Sequence, residues 1–234
     1  EMVFPIITLV LVLTTAGIPV ALANLVANYK GEGNDFLALL VTRYSFLLLS
    51  ASGILLPAFI VQFAPWLLPK VIADPRAYWA FMTLLPVIFF VSISSVFRGY
   101  FQGIGYMLPI ALGQLFEQVL RFLVGIFLVI FLLPYGLEFS AAGLGFAVLF
   151  GEFGGVIVLI LFYFGKSSNK KELKMAASSP IPSFNTLLKK LAILALPVTL
   201  SRIISSFILS IKAVMIPNRL QIAGATLEQA TQAY

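Results

Sequence analysis

Apolar residues run along this chain in long blocks rather than in alternation. Six such blocks, at 3–26, 38–62, 78–97, 108–133, 141–164 and 188–211, are separated by polar segments, most of them short. A helix needs about 20 apolar residues to cross the roughly 30 Å hydrocarbon core of a bilayer, and every block reaches that length. None shows the apolar–polar alternation of an outer-membrane strand. A backbone inside lipid must also satisfy its own hydrogen bonds, which a helix does within one segment. The pattern predicts an all-α membrane protein, a polytopic helical bundle with about six transmembrane helices.

Composition sharpens this picture. Hydrophobic residues make up 61% of the 234 positions and charged residues only 10%, against about half and about a quarter in ordinary globular domains. Mean hydropathy is +1.06. These values exclude a soluble enzyme, a disordered tail and a nucleic-acid-binding domain, so no nucleic acid partner is expected. The chain has no histidine and no cysteine, which removes most zinc and haem sites, disulfides, thiol nucleophiles and histidine-based triads. No cofactor and no metal are expected. No nucleotide-binding loop is present, and nothing points to an ATP-driven motor.

The formal net charge of +6 reads as basic residues held on the cytoplasmic side of a membrane protein. With six spans, one side collects Lys30, Arg98, Lys166, Lys170, Lys171, Lys174, Lys189 and Lys190. The other collects Lys70, Arg76, Lys212 and Arg219. The first side is expected to be cytoplasmic, with basic loops at 27–37, 99–107 and 165–187. Residue 1 then lies outside, and Glu1 opens directly on an apolar run without the pattern of a signal peptide. A protein that starts in the cytoplasm would need one more helix upstream, so the chain reads as a fragment. The segment after the fifth block, with Ser178, Ser179, Pro180 and Pro182 among its lysines, has the composition of a linker between two helical lobes.

Ionisable groups inside the spans are the positions to explain. Each costs about 2.5–3.5 kcal/mol on insertion scales and ordinarily faces a protein interior or an aqueous cavity. Glu117 and Arg121 stand four residues apart with the acid first, the favourable order for a pair on one helix. They lie roughly 14 and 20 Å from the start of their block. They are read either as an internal salt bridge or as the lining of a polar path. Glu152 is alone mid-block: a protonated acid hydrogen-bonded between helices, a proton- or cation-linked carboxylate, or a partner for Arg202. Arg202 has no local acid. It is read as paired to Glu117 or Glu152, or as holding an anion, since guanidinium binds phosphate bidentately. Arg43, about two turns into its helix, is expected to snorkel to the interface, with head-group binding as the second reading.

Gly143, Ala147, Gly151 and Gly155 recur every four residues. Small residues at that spacing let two helix backbones approach closely, so this helix is expected to pack along that face with Glu152 beside the seam. Pro19, Pro57, Pro86 and Pro197 fall within spans and predict kinks. The Gly99–Gly103 spacing is read as a tight turn at a helix end. Residues 196–200 (Leu-Pro-Val-Thr-Leu) echo residues 18–22 (Ile-Pro-Val-Ala-Leu) as a possible internal repeat.

Taken in order, Thr15-Ala16-Gly17-Ile18-Pro19-Val20-Ala21 and Ser94-Ser95-Val96-Phe97-Arg98-Gly99-Tyr100-Phe101-Gln102-Gly103 are followed by Pro109, Gln114, Glu117-Gln118 and Arg121. Leu133-Pro134-Tyr135-Gly136, Ala141-Ala142-Gly143, Gly151-Glu152, Leu196-Pro197, Ser201-Arg202 and Ala223-Gly224 complete the series. This resembles the stage V sporulation protein B-like, polysaccharide-biosynthesis branch of the multidrug/oligosaccharidyl-lipid/polysaccharide (MOP) flippase superfamily, and it covers nearly the whole chain. The resemblance implies a MATE-like two-lobe fold. Residues 1–165 would be most of the N-terminal lobe, helices two to six of the family pattern. Residues 166–187 would be a cytoplasmic inter-lobe linker, and 188–234 the first helix of the C-terminal lobe with the segment after it.

The implied activity is movement of a lipid-linked saccharide or peptidoglycan precursor, on a polyprenyl diphosphate, across the bacterial plasma membrane by alternating access. No bond is made or broken, so the resemblance implies no enzyme. Implied partners are the lipid-linked saccharide, membrane lipids and cell-envelope synthesis enzymes, in cell-wall or spore cortex synthesis. Arg121, Arg202 and Arg43 are the candidates for a cationic substrate cavity, with Glu117 and Glu152 balancing them. Two alternatives stand beside this reading. One is a cation-coupled multidrug antiporter of the same superfamily. The other is a non-transporting membrane scaffold for envelope synthesis.

Overall fold

In a computed structural model of the chain, residues 10–12, 14, 15, 17–71, 77–166 and 183–222 are described. The described elements are helical: α1 (Ile18–Gly31), α2 (Asp35–Val71), α3 (Ala77–Gly103), α4 (Leu108–Leu132), a 3-10 turn (Leu133–Tyr135), α5 (Leu137–Lys166) and α6 (Phe184–Ile222). Four helical stretches among the described residues are long and apolar enough to cross a membrane: Asp35–Phe63, Phe81–Gly103, Leu108–Tyr135 and Phe139–Gly165. They coincide with the second to fifth apolar blocks. The first block falls partly on residues 1–9, 13 and 16, outside the described residues. The sixth lies within α6. The expected linker falls largely on 167–182, also outside them, and α6 already begins at Phe184, with Leu187 fully buried.

The first block is not one kinked helix. Gly17 adopts φ 63°, a left-handed conformation that glycine reaches at little cost, and α1 starts immediately after it. Pro19 therefore sits in the first turn of a new helix, where its missing N–H and fixed φ are tolerated. At the other end of α1, Gly33 at φ 72° reverses the chain. Asn34 Oδ1 then accepts the Leu37 N–H at 3.1 Å and caps α2.

The helices alternate in direction, as specific contacts show. Gly99 and Gly103 of α3 meet Pro19 and Ala23 of α1 in ascending order, so those two run parallel. Phe46 packs on Phe97 while Gly53 abuts Phe89 and Ser92, so α2 and α3 are antiparallel. Gly113, Gly125 and Leu132 of α4 meet Leu159, Ala147 and Gly143 of α5, again antiparallel. The turns at 32–34 and 104–107 and the start of α6 consequently lie at one end.

The Gly99–Gly103 pair corrects the sequence reading. It is not a turn: both residues are helical, and a Cβ at either would come within 2.7 Å of a backbone oxygen of α1. The motif is a close helix–helix contact of the small-residue type, and the loop expected at 99–107 is confined to 104–107. The buried core is contiguous. Leu22, Val26, Leu49, Val96, Phe101, Leu159 and Leu187 bring α1, α2, α3, α5 and α6 together. Helix α4 contributes no residue to that buried set. It packs on α5 and leaves Leu115, Phe122, Phe127 and Ile130 exposed.

Candidate functional site: a charge cluster between three helices

The seam between α4 and α5 is built from glycine. A Cβ on Gly151 would lie 2.9 Å from the Glu117 carbonyl and 3.0 Å from Arg121 Cβ, and one on Gly155 would lie 3.2 Å from Glu117 Cβ. Gly143 meets Leu128 and Leu132 further along, and Ala147 faces Gly125. The four-residue stripe thus packs as expected, with Glu152 beside it.

That close approach assembles four ionisable side chains. Glu117 receives Arg121 Nη2 at 2.7 Å on one oxygen and Arg98 Nη2 at 2.9 Å on the other. Arg121 Nη2 also lies 3.4 Å from Glu152 Oε1. The Glu117–Arg121 pairing read from the sequence is present. Glu152 joins it through Arg121 rather than through Arg202. Counted along each helix from the end at 104–107, Arg98 is roughly 8 Å deep, Glu117 roughly 14 Å and Arg121 roughly 20 Å. Glu152 lies at about the same depth as Arg121, reached from the Lys166 end of α5.

Exposure separates the two signs. The side chains of Glu117 and Glu152 are 7% and 10% exposed, whereas those of Arg98 and Arg121 are 29% and 32% exposed. The carboxylates sit behind and the guanidinium groups in front. Breaking such a buried pair leaves an uncompensated charge, so each acid holds its arginine in place. The cluster is also not saturated. Arg121 Nε and Glu152 Oε2 are buried without a hydrogen-bond partner, and buried polar groups are ordinarily satisfied.

Arg98 is the member that sequence reading missed. It was placed among the basic residues of a cytoplasmic loop, but it lies in α3 and reaches Glu117 across the α3–α4 turn. The Gly99–Gly103 spacing was the signal: read as helix packing, it carries the span through Arg98. Arg202 and Arg43 are not brought to the cluster. Both are exposed, on α6 and α2, and neither forms an ion pair among the described residues. Helix α6 instead meets α1, where Gly17 approaches Ala195 and Thr199 and Lys190 Nζ donates to the Tyr29 hydroxyl at 3.4 Å. The two echoing segments, 18–22 and 196–200, therefore begin beside each other.

Comparison with known proteins places this helical bundle. The chain is 31% identical over 236 residues to stage V sporulation protein B of Bacillus subtilis (strain 168), covering 100% of this chain and 45% of that protein. It is 30% identical over 203 residues to the lipid II flippase MurJ of the same organism, covering 79% of this chain and 35% of that protein. A third relative there, the uncharacterized membrane protein YabM, is 28% identical over 213 residues. The chain spans less than half the length of these relatives. No solved structure matches it. The model of the polysaccharide biosynthesis protein family matches residues 1–226, and with that coverage the chain, an all-helical membrane protein, belongs to the polysaccharide biosynthesis protein family.

Proposed function

We propose that the chain is part of a flippase that carries a lipid-linked saccharide, with a polyprenyl diphosphate head group, across the bacterial plasma membrane. One observation supports this above the others: the mid-span cluster turns its guanidinium groups outward and keeps its carboxylates buried. Arginine in that position replaces the water around a phosphate oxygen with charge-assisted hydrogen bonds. Family membership and the likeness to a lipid II flippase agree with it.

The task is to move a charged head group through apolar lipid while its tail stays in the bilayer. Arg98 and Arg121 would hold the diphosphate, and Glu117 and Glu152 would fix those arginines and balance their charge when the site is empty. Rocking of two lobes about such a site would open it to each side in turn, with 167–182 as the connection between lobes. The end bearing Lys30, Lys166, Lys189 and Lys190 would face the cytoplasm, following the positive-inside rule. No covalent step is needed.

The same geometry disfavours the antiporter reading, because a cationic drug approaching the cluster would meet the arginines first. The discriminating experiment puts the full-length protein in liposomes and follows protection of a labelled lipid-linked saccharide from an external reagent, with efflux of a cationic dye in parallel. The expected result is translocation of the lipid, lost in folded Arg121→Gln and Arg98→Gln variants. Dye efflux without lipid translocation would establish the antiporter instead, and neither activity would point to a scaffold.

A further inference from the structure

We infer that the groove beside Arg121 binds a single isoprenoid chain carrying a phosphate or diphosphate head. The inference deepens the flippase reading and rests on it for what the transported lipid is. The groove is a cavity of about 320 Å³ between α4 and α5, lined by Arg121, Phe122, Ile126, Val129, Ile130 and Leu144. One lining side chain is charged and the others are hydrocarbon. An inorganic anion would have no use for those apolar walls, and a plain hydrocarbon would leave the arginine unanswered. An amphiphile with an anionic head satisfies both.

Arg121 is equipped for such a head. Both of its carboxylate contacts use Nη2, its side chain remains 32% exposed, and its buried Nε has no partner. The unpartnered Oε2 of Glu152, on a side chain only 10% exposed, lies in the same cluster, so the cluster has an unmet donor and an unmet acceptor. A protonated phosphate oxygen, or a water carried with the head group, meets both needs at once.

Size and direction select the chain. The volume corresponds to about ten waters at roughly 30 Å³ each, enough for a stretch of one prenyl chain and too little for the paired acyl chains of a phospholipid. Arg121 lies at mid-depth, and residues 122–130 run from it away from the lysine-rich end of the bundle. A lipid of the leaflet on the lysine-rich side has its head nearer that side and its tail directed inward. The groove therefore receives it without inversion, head at Arg121 and tail along Ile126 and Ile130.

The test uses the full-length protein in nanodiscs of zwitterionic phospholipid and a benzophenone-bearing prenyl diphosphate as photoprobe, with mass-spectrometric mapping. Labelling is expected on residues 122–130 and Leu144. Farnesyl diphosphate should compete, whereas inorganic diphosphate and phosphatidylglycerol at equal concentration should not. Ile126→Trp fills the groove and should cut labelling about tenfold, the cost of overpacking a fitted site. Phe127→Trp is the folding control: it lies on the same helix, exposed and outside the groove, and should label like the wild type. Labelling confined to other helices, equal labelling of Ile126→Trp and wild type, or competition by phosphatidylglycerol as strong as by farnesyl diphosphate would overturn the inference. If the protein flips lipid-linked saccharide while the probe labels elsewhere, the groove assignment fails and the flippase reading survives. If the groove labels but no lipid is translocated, the flippase reading fails alone.

Discussion

Two seams in this bundle use the same device and do different things with it. Gly99 and Gly103 of α3 let α1 approach within backbone contact, and Gly151 and Gly155 of α5 do the same for α4. The first seam closes over Leu22, Val26 and Phe101, all buried and apolar. The second closes over Glu117, Arg121 and Glu152. A stripe of small residues reports only that two helices come close. What the contact is for depends on what else shares the seam, and here ionisable groups make the α4–α5 seam a candidate site while the α1–α3 seam remains a joint.

The contrast breaks most sharply at Glu117. Replacing it with Ala strands Arg98 and Arg121 without their shared carboxylate, and removing one partner of a buried pair costs about 3–5 kcal/mol. Thermal unfolding in detergent should show the largest drop in Tm of any change discussed here. A milder loss is expected at the dry joint. Gly103→Leu must push α1 away at Ala23 and Val26, an overpacking cost of about 1–3 kcal/mol. In whatever fraction folds, affinity for a prenyl diphosphate should be unchanged. Gly151→Ala sharpens the comparison, because its Cβ would press on the Glu117 carbonyl and Arg121 Cβ. Its stability loss should also fall at about 1–3 kcal/mol, but here prenyl diphosphate affinity should fall with it, since the arginine is displaced. The smallest effect belongs to Lys30→Ala. Its 2.7 Å bridge to Asp35 joins two side chains that are each more than a third exposed, and such surface pairs contribute about 0–1 kcal/mol.

Much of this was legible in the residues. Block length gave the spanning helices, because lipid admits little else. The i,i+4 spacing of Glu117 and Arg121 gave their pair, and the four-residue stripe gave the α4–α5 seam. Arg98 was not legible because a basic residue near a block's end reads as a loop unless the helix is extended through it. The break at Gly17 was hidden because an apolar block shows no sign of a backbone inversion, and Pro19 looked like a kink rather than a start. The pairing of Arg202 with Glu117 or Glu152 failed for a different reason. Which helices are neighbours is a property of tertiary packing, and α6 packs on α1, far from the α4–α5 seam.

The central claim is that buried carboxylates hold guanidinium groups outward for an anionic lipid head. The most direct measurement is the Kd of the full-length protein in nanodiscs for a prenyl diphosphate, for wild type, Arg121→Lys and Arg121→Gln, each checked for folding. Charged hydrogen bonds of this kind are worth about 1.5–3 kcal/mol, so Arg121→Gln should weaken binding roughly 10- to 100-fold, with Arg121→Lys in between. Equal affinity in all three folded proteins would contradict the account and leave the cluster as a device for inserting and packing helices.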